Sequence, residues 1–466
     1  MYKVLAKVLA NRLKKVMDSI IGPTQMAFVK GHQIIDSVVI AEEIIHSWKR
    51  DESGGLLLKL DFKKAYNSVD HDFLEAMMVQ MGFGTRWRNW MRCCVFSPLM
   101  SILVNGSPTK QFRVEIGLRQ GDPLLPFLFN IVVEGLSCMI TKARDLHLIK
   151  GAVFGVDKVH ITHLQFADDT ILFVEPNMDY IRNVKRILRC VELVSGLKIN
   201  FHKSCLVRVG KSGHTNGKWS EAFRCAESSL PILYLGLPLG GNPKREDFWR
   251  PVINKVNQRL APWKRGCISK GGRLILIRAV FSSLPNYFMS VFSIPVGVAG
   301  KIEKLQRGFF GGDGAIKRKV HAVDWDTVCK RKNHGGLGIG RVLEKGLSLL
   351  AKWIWRFGRE DSSLWKNVIC AKYGPSLSDL RWDWQSAKAT FFFVKSVGKL
   401  LVEGSRSNQI FSEGLQVVVG NGKRVKFWSE VECDSIPFNK AFLRIFALAV
   451  NKKWVIDKFG SWKQSK

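Results

Sequence analysis

Two β-like runs, Ile161 to Phe166 and Thr170 to Val174, are separated only by Ala167, Asp168 and Asp169. A hairpin is the connection such a gap predicts, and it holds two adjacent carboxylates at its tip. A third carboxylate, Asp61, ends another apolar run, Leu56-Leu57-Leu58-Lys59-Leu60. Three carboxylates so gathered can hold the two Mg²⁺ ions that phosphoryl transfer onto a growing strand requires. An Asp-Asp pair alone reads better as an Asx-stabilised turn, so the weight rests on what accompanies it.

Charge narrows the partners. Lys and Arg number 72 against 39 for Asp and Glu, a net charge of +33 spread along the chain. So broad a basic surface suits a phosphate backbone, with a membrane surface as the weaker alternative. The 466 residues, 46% hydrophobic, can bury a sizeable core, and such a length predicts about two to four domains. No apolar stretch is expected to reach the ~20 residues that span a bilayer. Ten cysteines without a CxxC pair argue against a secreted disulfide framework and for a reducing, intracellular compartment. Cys93 and Cys94 read as small core residues. His202, Cys205, His214 and Cys225 fit no zinc-finger spacing.

Met1 to Val16 forms a basic helical pattern with Leu5, Leu9, Leu13 and Val16 on one face, the edge of a folded domain or a transit peptide. A loop from Gln25 to His32 precedes a helical pattern from Ile34 to Trp48. Asp72 and Glu75 read as a capping box for a helix with Phe73, Met77 and Met81 inward. Tyr66, five residues after Asp61, is either an ordinary buried tyrosine or a ring that packs on a nucleotide sugar and clashes with a 2′-hydroxyl. Further on, Asp122 suits an N-cap and Pro123 the first helical position, with Leu124, Phe127, Leu128 and Ile131 as the buried face. Before that cap, Gly121 lets backbone approach a ligand, while Arg119 and Gln120 offer donors to phosphate or a base edge.

Beyond Asp247 the pattern is helical. Phe248, Val252, Val256 and Leu260 form one stripe, with Arg250, Lys255 and Arg259 elsewhere, and a second helix from about Arg273 to Leu284 carries Leu274, Ile277 and Phe281. Gly311 to Gly314 with Lys317 to Lys319 reads as a hinge or exposed loop. The glycines from Gly335 to Gly340 lack dinucleotide-binding spacing. Leu347, Leu350, Ile354 and Phe357 define a helix ending at Gly358, with Trp353 and Trp355 as packing anchors. Val417 to Trp428 reads as a hairpin around a Gly-Asn-Gly turn.

Five segments stand in a telling order: Leu60-Asp61-Phe62-Lys63-Lys64-Ala65-Tyr66, Arg119 to Leu124, Phe166 to Asp169, Ser195 to Asn200 with Lys203 and Ser204, and Tyr234 to Gly240. The chain resembles the reverse transcriptases of LINE-type, non-LTR retrotransposons, the plant members especially, over nearly its whole length. That resemblance implies an α+β right-hand polymerase with an antiparallel palm sheet. It places partial fingers over residues 1–55, palm with fingers elements over 56–240 and thumb over 241–310. A helical connection would follow over 320–410, then the start of a zinc-binding-like region over 411–466.

The same resemblance implies Asp61, Asp168 and Asp169 as catalytic ligands of Mg²⁺, with Mn²⁺ as a substitute and no zinc. Lys203 would protonate departing pyrophosphate. Phe62, Lys63, Lys64, Ala65 and Tyr66, with Arg119, Gln120 and Gly121, would surround a dNTP, and Tyr234, Leu235 and Gly236 would grip the primer end. RNA template and DNA primer or target are the implied partners, and the nucleus the implied compartment. His32 stands where the family usually has Arg, Asn67 where Asp is common and Leu125 where Ser is common. The family's upstream Arg-Pro-Ile-Ser segment, endonuclease and ribonuclease H domain are not found, so a truncated element is expected. The activity expected is RNA-directed DNA polymerase; the alternative is an inactive, retrotransposon-derived fragment that binds nucleic acid.

Overall fold

A computed structural model describes residues 2–50, 54–96, 99–155, 159–210, 218–264, 268–311, 323–360, 362–374, 392–400, 425–428, 436–452 and 454–458. It divides into two units, Met1–Gly241 with Ser363–Val368, and Asn242–Ser362 with Ile369–Lys466. The first unit opens with helices α1 (Tyr2–Leu13), α2 (Met17–Ile20) and α3 (Ile34–Arg50) before strand β1 (Gly55–Leu60). Helices α4 (His71–Gln80) and α5 (Thr85–Met91) lead to four short strands, β2 (Leu99–Met100), β3 (Leu103–Val104), β4 (Ser107–Pro108) and β5 (Phe112–Arg113). After helix α6 (Leu125–Asp145) come β6 (Ala152–Phe154), β7 (Val159–Ile161), β8 (His163–Phe166), β9 (Asp169–Val174) and helix α7 (Met178–Ser195). The unit ends with β10 (Cys205–Val209), α8 (Lys218–Phe223), β11 (Ala226–Ser228) and the hairpin β12 (Ile232–Tyr234) and β13 (Leu237–Leu239).

Five strands form the central sheet in the order β11-β10-β1-β9-β8, antiparallel except for the β10–β11 pair. The near-continuous leucines of β1 reflect burial on both faces. Leu56, Leu58 and Leu60 share one core with Leu74 and Met78 of α4, Leu128 and Val132 of α6, and Val184 and Leu188 of α7. On the opposite face Phe173, the partner of Leu57, meets the Trp48 ring of α3 edge-on at 5.9 Å. Among the described helices, α6 is the one long and apolar enough to cross a membrane by length and composition, so the expectation that no such stretch exists is corrected. Its apolarity has a local cause: Leu128, Phe129, Ile131, Val132, Val133 and Leu136 are all buried inside the unit, beside buried Asn130 and Glu134.

Three amphipathic faces differ from the sequence pattern. In α1 the buried residues are Ala6, Leu9, Ala10 and Leu13, while Leu5 is 51% exposed and Val16 lies beyond the helix. Small alanines let that face approach the core closely, which a pattern built on leucines overlooks. In α4 the cap is Asp70, whose Oδ1 accepts from the Phe73 N–H at 2.8 Å, two residues before the predicted box. That shift buries His71, Leu74 and Met78 and leaves Phe73 half-buried against Gly135 of α6. Glu75 pairs instead with Arg88 and Arg92. In α6 the helix begins at Leu125; Asp122 caps the preceding turn by accepting from the Leu124 N–H at 2.9 Å. Of the two adjacent cysteines, Cys94 is buried and Cys93 exposed.

The second unit is helical: α9 (Glu246–Lys264), α10 (Lys270–Leu276), α11 (Asn286–Met289), α12 (Val296–Gly311), α13 (Trp325–Cys329) and α14 (Val342–Arg359). Phe248, Val252, Val256 and Leu260 of α9 are buried as their spacing predicts. Phe248 packs edge-on to Phe288 and Phe292, and Val256 and Leu260 join Ile277, Phe281, Phe309 and Trp325 in one core. The predicted second helix is interrupted, α10 passing into a π-turn over Ile277–Phe281. In α14 the buried stripe is Val342, Gly346, Leu350, Trp353 and Phe357. Trp353 anchors it, donating from Nε1 to the Ser290 carbonyl at 2.7 Å, whereas Trp355 is 48% exposed beneath the Arg359 guanidinium. Residues 312–322, including Lys317 to Lys319, most of the predicted hairpin from Val417, and His214 lie outside the described residues.

Candidate active site

The acidic tip is built by register. Phe166 pairs with Asp169 across the β8–β9 hairpin, leaving Ala167 and Asp168 as its two-residue turn. Ala167 sits at φ +54°, a left-handed position where hairpins favour glycine. On the other side of β9, Leu60 pairs with Thr170, so the chain leaving β1 carries Asp61 to the same end of the sheet as Asp169. Side chains alternate along strands, which sets Asp169 on the face of Ile171 and of its partner Lys59.

Other segments fix these positions. The Asp61 N–H donates to Ser204 Oγ at 3.1 Å and its carbonyl accepts from the Asn200 N–H at 2.7 Å. The Lys63 N–H donates to the Lys198 carbonyl at 2.7 Å. Tyr66 places its ring 4.5 Å from that of Phe129, and its phenol donates to Asp168 Oδ1 at 3.4 Å. The Tyr66 carbonyl accepts from the Leu118 N–H at 2.6 Å, which brings the segment carrying Arg119, Gln120 and Gly121 alongside. Gly117, at φ +90°, has the Asn67 carbonyl oxygen 2.7 Å from where a Cβ would stand, so only glycine permits this approach. Arg119 lies over the ring of Tyr2 at 5.7 Å, and the Tyr2 phenol donates to the Asp122 carboxylate.

The charges interact. Burial, then the Asp168 carboxylate, raise the Asp169 carboxyl above its ordinary range; Lys59 opposes the shift and Asp61 adds to it. Burial and the same Asp168 push the Tyr66 phenol up to about 12. The donors are carboxylate oxygens in mutual repulsion, chemistry that fits a hard divalent cation. Among the described residues no three Asp, Glu, His or Cys side chains converge tightly enough to enclose a metal ion.

Two further expected contacts lie on the β12–β13 hairpin and in the turn before β10. Tyr234 is fully buried, its strand turning through Leu235 at φ +48° and Gly236 at φ +78°. At the tip Gly236 is exposed and Leu235 half-buried. Lys203 is exposed in the turn before β10, its N–H donating to the Asn200 carbonyl at 3.1 Å. Gln120 and Gly121 are exposed.

Sequence reasoning missed four supporting residues. Lys59 donates to the Leu233 carbonyl at 2.9 Å, tying β1 to the β12–β13 hairpin. Glu42 Oε1 accepts from the Gly240 N–H at 2.8 Å, and Lys49 donates to the Gly240 carbonyl at 2.9 Å. Burial pushes Glu42 up to about 8 against the opposing Gly240 bond and Lys49. Gln25, read only as part of a loop, is buried beneath the acidic turn. A polar residue among apolar ones in a helix, as Glu42 is, was the available signal.

Comparison with known proteins identifies the family. The reverse transcriptase (RNA-dependent DNA polymerase) family matches residues 1–239. A retrovirus-related Pol polyprotein from the type-1 retrotransposable element R2 of Popillia japonica is 30% identical over 337 residues, 69% of this chain and 52% of that protein. The corresponding polyprotein of the type-2 element R2DM of Drosophila melanogaster is 26% identical over 350 residues, 72% of this chain and 31% of that one. A putative ribonuclease H protein of Arabidopsis thaliana is 31% identical over 186 residues, 40% of this chain and 29% of its own length. The chain thus spans about half or less of these relatives. A telomerase of Candida tropicalis, solved with a telomeric RNA fragment, aligns over 80% of this chain and 56% of its own at a TM-score of 0.38 and 12% identity. Since one family accounts for every segment that meets at the acidic tip, and its match runs through the β12–β13 hairpin, the chain belongs to the reverse transcriptases.

Proposed function

We infer that this protein is an RNA-directed DNA polymerase of a non-LTR retrotransposon, extending a DNA 3′-end on an RNA template. The observation that carries the reading is the β1–β9 register, which delivers Asp61 and the Asp168-Asp169 turn to one end of the sheet. In the reaction the primer 3′-oxygen attacks the α-phosphorus of a dNTP, the bond to the β-phosphate breaks, pyrophosphate leaves and the hydroxyl proton is lost. Asp61, Asp168 and Asp169 would hold Mg²⁺, or Mn²⁺, which stabilises charge on the attacking and leaving oxygens.

The remaining roles fall to this chain's own groups. Backbone from Phe62 through Lys63 and Lys64 to Ala65 lines the nucleotide site, and the Tyr66 ring, braced by Phe129, occupies the space a 2′-hydroxyl needs. Arg119, Gln120 and Gly121 border the forming base pair. Lys203 gives a proton to pyrophosphate. The turn at Leu235 and Gly236 supports the primer end. Residues 1–55 serve as fingers, 56–240 as palm with fingers elements and 241–310 as thumb, where exposed Arg250, Lys255 and Arg259 of α9 follow a duplex backbone. The nucleus, where a DNA target resides, is the compartment this activity requires.

The test compares Mg²⁺-dependent dNTP incorporation on an RNA template with a DNA primer by the wild-type chain and by an Asp168→Asn, Asp169→Asn double variant. Incorporation abolished in the variant supports the polymerase. A folded wild type that binds template and incorporates nothing leaves a nucleic-acid-binding protein without this chemistry.

A further inference from the structure

The turn that carries Asp168 has no glycine to relax it. Ala167 holds φ +54°, a conformation that L side chains populate at a cost and that neighbouring structure must impose. The side chain that meets this turn from below is Gln25. Its Oε1 accepts two backbone N–H groups, that of Ala167 at 3.0 Å and that of Ala27 at 3.0 Å. Gln25 is 1% exposed, and its Nε2 has no hydrogen-bond partner among the described residues, so this side chain is anchored through its oxygen.

Its backbone is stapled as firmly. The Gln165 N–H donates to the Thr24 carbonyl at 2.9 Å and the Met26 N–H to the Gln165 carbonyl at 2.9 Å, a parallel bridge alongside β8. His32 Nδ1–H donates to the Gln25 carbonyl at 2.6 Å, and Asn130 Nδ2 of buried α6 donates to the Ala27 carbonyl at 2.7 Å. The loop from Gln25 to His32 is therefore a fixed strut, with a single acceptor oxygen at the amide next to Asp168.

We propose that Gln25 is a positioning residue of the polymerase site: its side-chain oxygen, holding the Ala167 N–H, sets the turn that aims the Asp168 carboxylate. The inference rests on the polymerase reading of the acidic tip. Three consequences separate this role from general packing. Gln25→Met keeps the shape and removes the acceptor. Gln25→Glu, protonated at this buried position beside the acids, keeps the acceptor and replaces only the unpartnered nitrogen by a hydroxyl. Ala167→Gly relieves the left-handed position, so the turn depends less on being held.

The experiment measures three quantities on the full chain with an RNA template and DNA primer. These are template affinity, Mn²⁺ binding by electron paramagnetic resonance, and kcat and KM for dNTP incorporation. For Gln25→Met we expect unchanged template affinity, weaker Mn²⁺ binding and a fall in kcat of roughly 10- to 100-fold, the scale on which a small misplacement of a reacting group costs rate. Gln25→Glu restores most of that loss, and the Gln25→Met penalty shrinks in an Ala167→Gly background. If Gln25→Met fails to fold, Gln25→Asn, which withdraws the oxygen by one methylene, is read in the same way; failure of both to fold overturns the proposal in favour of a purely structural residue. Wild-type Mn²⁺ binding and kcat in Gln25→Met overturn it while leaving the polymerase intact. An inactive wild type identifies failure of the polymerase reading itself; Mn²⁺ binding weakened in Gln25→Met then still supports the positioning role, and unchanged binding rejects it.

Discussion

The Tyr66 phenol reaches across from the end of β1 to the tip of the β8–β9 hairpin, donating to Asp168 Oδ1 at 3.4 Å. Two functions converge on one side chain, a hydrogen bond to a carboxylate and a ring filling space, and substitution can part them. Tyr66→Phe removes the donor and keeps the ring against Phe129, so its preference for dNTPs over rNTPs should stay within about threefold of wild type, since such discrimination follows pocket shape. Tyr66→Ala should lower that preference by roughly 10- to 100-fold for the same reason. Competitive incorporation of the two nucleotide classes measures both, and a selective Tyr66→Ala enzyme would remove the ring from the gating role.

Asp169 carries a pH prediction. Its carboxyl lies above the ordinary range because it is buried and faces Asp168, with Lys59 holding the shift in check. On the proposed role of Asp169 as a metal ligand, binding needs the ionised form, so the acid limb of the rate profile should lie above the usual carboxylate titration and rise with pH. Lys59→Met removes the opposing charge and should move that limb to higher pH, a displacement read from kcat against pH.

Stability should show two opposite slopes. Glu42 at about 8 and Glu134 at about 7 retain in the folded state a proton that the unfolded chain gives up in the ordinary carboxylate range, so stability falls as pH rises through that window. His163, lowered to about 3 by burial and then Arg144, stays neutral while the unfolded chain protonates, so stability also falls as pH drops below the usual imidazole value. Glu42→Gln should flatten the fall in melting temperature that runs from the ordinary carboxylate range up to about pH 8 and, because that range overlaps the His163 window, should steepen the loss on the acid side.

At α4 the competing caps can be told apart. Asp70→Ala removes the bond to the Phe73 N–H and should cost ~1 kcal/mol. Asp72 is exposed in the first turn, where its loss should cost only a few tenths of that through the helix dipole. Urea midpoints of the two variants decide; an equal loss at Asp72 would sink the assignment.

What could be read in advance was what spacing encodes. The alternating runs around Ala167 and the apolar run before Asp61 predicted strands, and the α9 stripe from Phe248 to Leu260 predicted its buried face. What spacing misses is contact between distant segments. Glycine at 135 gives Phe73 a seat that no periodicity announces. Alanines at 6 and 10 displace Leu5 from the buried face of α1. Gln25 and Glu42 matter through backbone groups of Ala167 and Gly240, more than a hundred residues away in each case. The interior position of the Tyr234 ring was likewise not legible from a contiguous motif.

The pairing of β1 with β9 also governs how this chain can lose or keep its chemistry as copies diverge. Removing one residue from either strand would invert every side chain beyond the cut and turn an acid away from its partners. The exposed ribbon from Leu99 to Arg113 bears no such constraint. Within β1 or β9, by contrast, a single lost codon would scatter the three acids of the proposed site without changing one acidic residue.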